Sequence, residues 1–101
     1  MSDLTVANEI LRQLGGNMFV RMTGAKGLLG GEDFLSMQLP GNSTKKHINR
    51  FKVKLMPSDT YKVTFGKFRG TTYSVVEEYE DVYCDQLVEL FENVTGLYTH
   101  F

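Results

Sequence analysis

The chain has 101 residues, 42% of them hydrophobic and 23% charged, with a formal net charge of -1. That is enough chain for one domain with its own core. The balanced charge argues against a protein that coats nucleic acid by bulk basicity. A single cysteine, Cys84, rules out an internal disulfide and a cysteine-rich metal site. No stretch approaches the roughly 18 apolar residues of a membrane span, so no membrane partner is expected. The start, Met1-Ser2-Asp3-Leu4, lacks the basic and apolar regions of a signal peptide. A cytoplasmic, reducing location is the expectation.

From about Leu4 to Leu14, Leu4, Ala7, Ile10, Leu11 and Leu14 recur at helical spacing. Ser2 or Asp3 can cap this helix, and Gly15-Gly16 ends it. The period then becomes two. Met18, Val20 and Met22 predict a first strand. The glycine-rich segment Thr23 to Gly31 follows and reads as a hairpin loop with an apolar tip, Leu28-Leu29. Leu35, Met37 and Leu39 form a second strand, closed by Pro40-Gly41-Asn42. Phe51, Val53 and Leu55 alternate with Arg50, Lys52 and Lys54 in a third. After the turn Pro57-Ser58-Asp59-Thr60 come Tyr61, Val63 and Phe65, then Tyr73, Val75 and Tyr79, with a bulge expected at Gly66. A second helix is predicted from about Asp81 to Val94, with Tyr83, Leu87, Leu90, Phe91 and Val94 as its apolar stripe. The fold class is α+β: a single domain over 1–101, in the order α-β-β-β-β-β-α. Its five-stranded antiparallel sheet carries two helices packed on one face.

The charges are sorted along the chain. Eight bases fall between Lys45 and Arg69, with one acid, Asp59, among them. Seven acids and no base fall between Glu77 and Glu92. On the basic strands, Arg50, Lys52, Lys54, Lys62, Lys67 and Arg69 are candidate phosphate contacts, with Tyr61 and Thr64 nearby and Lys45 and Lys46 on a loop. Lys54 should face Lys62 across a hairpin, and Glu78 should come beside Lys62. Phe68 is the ring expected to join this basic face. The plain alternative is a solvated outer face of a half-buried sheet.

Asp85, Glu89 and Glu92 fall at spacings of four and three. They offer a docking face for a basic partner, or the solvent side of an amphipathic helix. Leu28 and Leu29 are a second candidate protein contact. The glycine-rich segment is not a P-loop: it lacks the G-x-x-x-x-G-K-[ST] spacing and leads into a strand.

No catalytic residues, cofactor or metal are assigned. His47 and His100 have no acid or cysteine at ligand spacing. Cys84, in acidic surroundings, reads as a small packing residue rather than a reactive thiolate. Glu77 and Glu78 point to opposite sides of a strand and make a poor acid–base pair.

Several segments together carry a resemblance: Leu11-Arg12-Gln13-Leu14-Gly15-Gly16 through Met22-Thr23-Gly24-Ala25-Lys26, then Leu39-Pro40-Gly41-Asn42, Asp59-Thr60-Tyr61 and Arg69-Gly70. Asp81-Val82-Tyr83-Cys84-Asp85-Gln86-Leu87 through Phe91, and Val94-Thr95-Gly96-Leu97-Tyr98-Thr99, complete it. The chain resembles small uncharacterised proteins of tailed bacteriophages and prophages. That resemblance implies an accessory protein in the host cytoplasm and transfers no site residues.

Three readings stand. The first is a nucleic-acid binder that uses its basic sheet face. The second is an inhibitor or adaptor that docks on a host protein or defence complex through the acidic helix or the glycine-rich loop. The third is a homodimer that sets basic face against acidic helix.

Overall fold

The computed structural model describes residues 4–41, 44 and 47–97. Helix α1 (Thr5–Leu14) buries Ala7, Ile10 and Leu14, while Leu4 stays largely exposed ahead of it. Ser2 and Asp3, the expected caps, lie outside the described residues. Gly15, at φ 126°, ends the helix as expected.

The next segment departs from expectation. Met18, Val20 and Met22 do not form a strand but lie in a short helix, α2 (Asn17–Thr23). Phe19 decides the matter. It is fully buried, with Thr23 one turn later, whereas Met18 is exposed. Met and Arg are good helix formers, so nothing local resists the anchoring of Phe19 in the core.

The glycine-rich segment is the strand that α2 is not. β1 (Lys26–Gly30) forms an edge of the sheet, with a register shift between Lys26 and Leu29. Gly27 sits in that shift at φ 61°, a conformation that favours glycine. Gly30 serves a different purpose: a Cβ there would stand 2.8 Å from the Cβ of Ala7, so its absence lets α1 settle onto β1.

The remaining strands are β2 (Phe34–Gln38), β3 (Arg50–Leu55), β4 (Tyr61–Arg69) and β5 (Thr72–Val82). All five pair antiparallel with their sequence neighbours, in the order β1-β2-β3-β4-β5. The fold is thus a mixed α+β meander, as expected, though with three helices rather than two.

The anticipated irregularity near Gly66 is present, but its extra residue lies on the partner strand. Phe65 pairs with Glu77 and Gly66 with Val75, which leaves Val76 unmatched. A second shift between Tyr61 and Val63 sets Glu80 and Asp81 against Lys62, with Asp81 at φ 56°. β5 therefore runs through Glu80 and Asp81, which the sequence assigns to a helix start. A 3-10 turn (Cys84–Gln86) then leads into α3 (Leu87–Thr95). Tyr83 caps that turn and is exposed, so it is not part of the apolar stripe. Cys84 is also exposed and is not a packing residue.

The core fills one face of the sheet. Leu35, Met37, Phe51, Val53, Tyr61, Val63 and Phe65 point into it and meet the buried residues of the helices. Phe91 of α3 stands edge-on to Phe19 of α2 at 5.0 Å and to Phe51 of β3 at 4.9 Å. Phe51 stacks on Phe65 at 5.2 Å, and Phe65 meets Tyr79 edge-on. Tyr61 donates its hydroxyl proton to Gln13 Oε1 at 2.8 Å, tying β4 to α1.

Two outcomes follow. Phe91→Ala removes the ring shared by two helices and the sheet and is expected to cost about 3–5 kcal/mol, read by urea unfolding. Burial pushes the Tyr61 phenol above its ordinary value. Its contribution is complete below the unfolded pKa of about 10 and is lost as pH rises through the higher folded value. Unfolding midpoints measured from pH 8 to 11 should fall at the alkaline end, and less steeply in Tyr61→Phe.

Candidate functional site

The helices cover one face of the sheet, so the alternate side chains of each strand project from the other. The pairing places these in rows. Lys26, Gln38, Arg50, Gly66 and Val75 form one row across all five strands. Leu29, Ser36, Lys52, Thr64 and Glu78 form the next. Phe34, Lys54 and Lys62 form a third. Phe68 and Tyr73 face each other beyond the first.

Of the six basic residues singled out in the sequence, four share this open face: Arg50, Lys52, Lys54 and Lys62. Lys67 and Arg69 do not. They have the parity of Phe65 and fall on the opposite side, near the tip of the β4–β5 hairpin. Tyr61 also turns inward and is buried. Thr64 does face outward, but its hydroxyl is bound to Glu78 at 3.3 Å. Lys45 and Lys46 lie outside the described residues.

The two ends of the open face differ electrically. Lys54 stands opposite Lys62, as expected, but acids crowd both. Lys54 Nζ is 4.0 Å from Asp33, and Lys62 Nζ is 3.6 Å from Glu78 and 3.9 Å from Glu80. These are loose surface pairs worth about 0–1 kcal/mol each. Arg50, at the other end, and Lys52, in the middle row, are held by rings instead. The Arg50 guanidinium lies 4.9 Å from the centre of Phe68, and the Lys52 ammonium lies 4.7 Å from that of Phe34. Cation–π contacts position a cation without neutralising it.

Phe68 joins the basic face, as expected, and it has company. Tyr73 stacks on it with ring centres 5.2 Å apart. The Tyr73 ring leans over Gly66, where an added Cβ would stand 2.3 Å from its hydroxyl. Burial raises the Tyr73 phenol above its ordinary value, against a partial lowering by nearby Arg50. Asn49 fixes the backbone beneath Phe68. Its Nδ2 donates to the Phe68 carbonyl at 2.9 Å, and its Oδ1 accepts from the Phe68 amide at 2.7 Å. A hollow of about 160 Å³ opens between Ser36, Arg50, Lys52, Phe68 and Tyr73.

Phe34, Tyr73, Asn49 and Lys26 were not among the residues selected from the sequence. Phe34 had a signal, since it shares parity with Ser36 and Gln38. Asn49 had none, because its partner is 19 residues away.

The proposed protein-binding residues are scattered. Leu28 and Leu29 are exposed, Leu29 at 61%, but they belong to the edge strand β1 and not to a loop tip. Asp85 stands in the 3-10 turn, Glu89 is exposed on α3, and Glu92 is half-buried and engaged in an interaction of its own. The acidic run is therefore split among β5, the turn and α3 and does not form one helical face.

Among the described residues, no group of three or more His, Cys, Asp or Glu could hold a metal ion. No helix among them is long and apolar enough to cross a membrane. His47 is exposed at φ 54°, and His100 lies outside the described residues. Comparison with family models, curated proteins and solved structures returns no match.

Gly66→Ala tests how the rings are set. The added methyl should push the Tyr73 ring off the sheet and bring its phenol pKa down towards the ordinary value. Nuclear magnetic resonance of the Tyr73 ring reads both effects. Gly66 does not have a positive φ, so the cost in thermal stability should be confined to the displaced ring pair, about 0.5–1.5 kcal/mol.

Proposed function

We propose that this chain is a non-enzymatic accessory protein, of the kind tailed bacteriophages encode, that binds single-stranded nucleic acid on the open face of its sheet. One observation carries the reading. Arg50 and Lys52 lie beside three outward aromatic rings, Phe34, Phe68 and Tyr73, on a face that no helix covers. Cations for the backbone and rings for the bases are the two parts a single-strand platform needs. Duplex recognition in a groove commonly uses a protruding helix or ribbon, and the helices here pack against the core.

The acids of β5 shape the reading. Glu78 and Glu80 would repel phosphate from the β5 side, which directs a strand towards β1, β2 and β3. The reading of a protein-docking acidic helix has less support, because Asp85 stands in the 3-10 turn and only Glu89 and Glu92 on α3.

The test is fluorescence anisotropy with labelled single-stranded DNA and RNA at low and moderate salt. Affinity should fall steeply with salt. Lys52→Glu with Lys54→Glu should lower it by at least about tenfold, since an attractive contact at Lys52 becomes repulsive and the acid-paired Lys54 site gains a further negative charge. The circular dichroism spectrum should not change, because both side chains are exposed. Binding that this pair of substitutions leaves intact would exclude the sheet face as the site.

A further inference from the structure

A groove of about 480 Å³ lies at the β1–β3 end of the open face. Lys26, Gln38, Asn49, Arg50 and Phe68 line it, and no acidic residue does. Lys26, Gln38 and Arg50 are successive partners across β1, β2 and β3. With strands about 4.8 Å apart, the Lys26 and Arg50 backbones are about 10 Å apart. Two long cationic side chains at that spacing can converge on one anion above Gln38. Among the described residues neither cation has a carboxylate partner, unlike Lys54 and Lys62.

Arg50 also borders the 160 Å³ hollow walled by Phe68 and Tyr73. It therefore stands between a groove lined by cations and a hollow lined by rings, the two surfaces that a phosphate and its base require. The Phe68 ring holds the Arg50 guanidinium 4.9 Å from its centre, and Asn49 fixes the Phe68 backbone.

We propose that this groove seats one backbone phosphate of a single strand between Lys26 and Arg50, with the adjoining base against Phe68 and Tyr73. The proposal rests on the reading that the face binds nucleic acid, and it makes Lys26, on the glycine-rich edge strand, a primary contact. The strand then crosses the face at the Phe68 end and leaves Lys62 to its acids.

The experiment titrates a labelled twelve-nucleotide oligothymidylate against wild type, Lys26→Gln, Arg50→Gln and Lys67→Gln at several salt concentrations. Lys26→Gln and Arg50→Gln should each weaken binding by about five- to tenfold. Each should also reduce the salt slope, by no more than the about 0.7 that belongs to the one single-strand phosphate they share. Lys67→Gln, on the other side of the sheet, should match wild type. Thymidine monophosphate should compete only at far higher concentration than the oligonucleotide. Wild-type binding that Lys26→Gln leaves unchanged in affinity and slope overturns the groove while sparing the face. Equal competition by the mononucleotide also overturns the proposal, because the groove then takes a free nucleotide. If wild type fails to bind the oligonucleotide even at low salt, the face and the groove both fall. Circular dichroism of Arg50→Gln checks the fold, and Lys26→Gln, at an exposed edge position, gives an answer that does not depend on it.

Discussion

The contact of Phe91 with both Phe19 and Phe51 is the joint on which the rest of this structure depends. Among the described residues it is the one place where α2, α3 and the centre of the sheet meet through rings, each pair about 5 Å apart and edge-on. Aromatic edge-to-face pairs add about 0.5–1.5 kcal/mol beyond the area they bury. Their larger effect here is positional. Phe91 holds α3 to the same side of the sheet that Phe19 holds α2, and Gly30 lets α1 reach that side as well. With every helix committed to one face, the other is left open to solvent.

That open face is divided by charge, and the division follows from strand order. The basic strand β3 is central, and the acidic strand β5 is an edge, two places away. β4 lies between them and takes one of its lysines, Lys62, to the acidic side. The cations on the far side are positioned by rings. A contact between a cation and a ring orients the cation yet leaves its charge available, which an ion pair does not do. The two ways of holding a lysine or arginine thus produce a quiet half and an electropositive half on one sheet.

Much of this was legible in the sequence where the residue pattern had a single solution. The alternation of Arg50 to Leu55 assigned β3, its faces and the Lys54–Lys62 pairing, because a one-residue slip would have buried three charges. The segment from Asn17 to Thr23 was not legible. Seven residues fit a two-residue period and a helical turn equally well, and a tertiary contact of Phe19 decided between them. The glycine-rich segment misled for a related reason. Glycine is rare in strands, but at an edge Gly27 supplies a bulge and Gly30 makes room for a helix. Both depend on neighbours remote in sequence. The candidate site shows the same split. Parity placed Arg50, Lys52 and Lys54 together and, through Phe65, sets Lys67 and Arg69 on the opposite face, whereas the gain of Asn49 required the fold. Lys26 entered the face only because its segment proved to be a strand.

The meander order has a kinetic consequence. Each strand pairs with the one next to it in the chain, so the whole sheet can assemble by successive short closures, as a zipper does. Low sequence separation between contacting residues is the property that accompanies rapid folding. The exception is the contact of α1 with α3, the first and last helices of the described residues, which closes a far longer loop and carries a correspondingly larger entropic cost than any strand pairing.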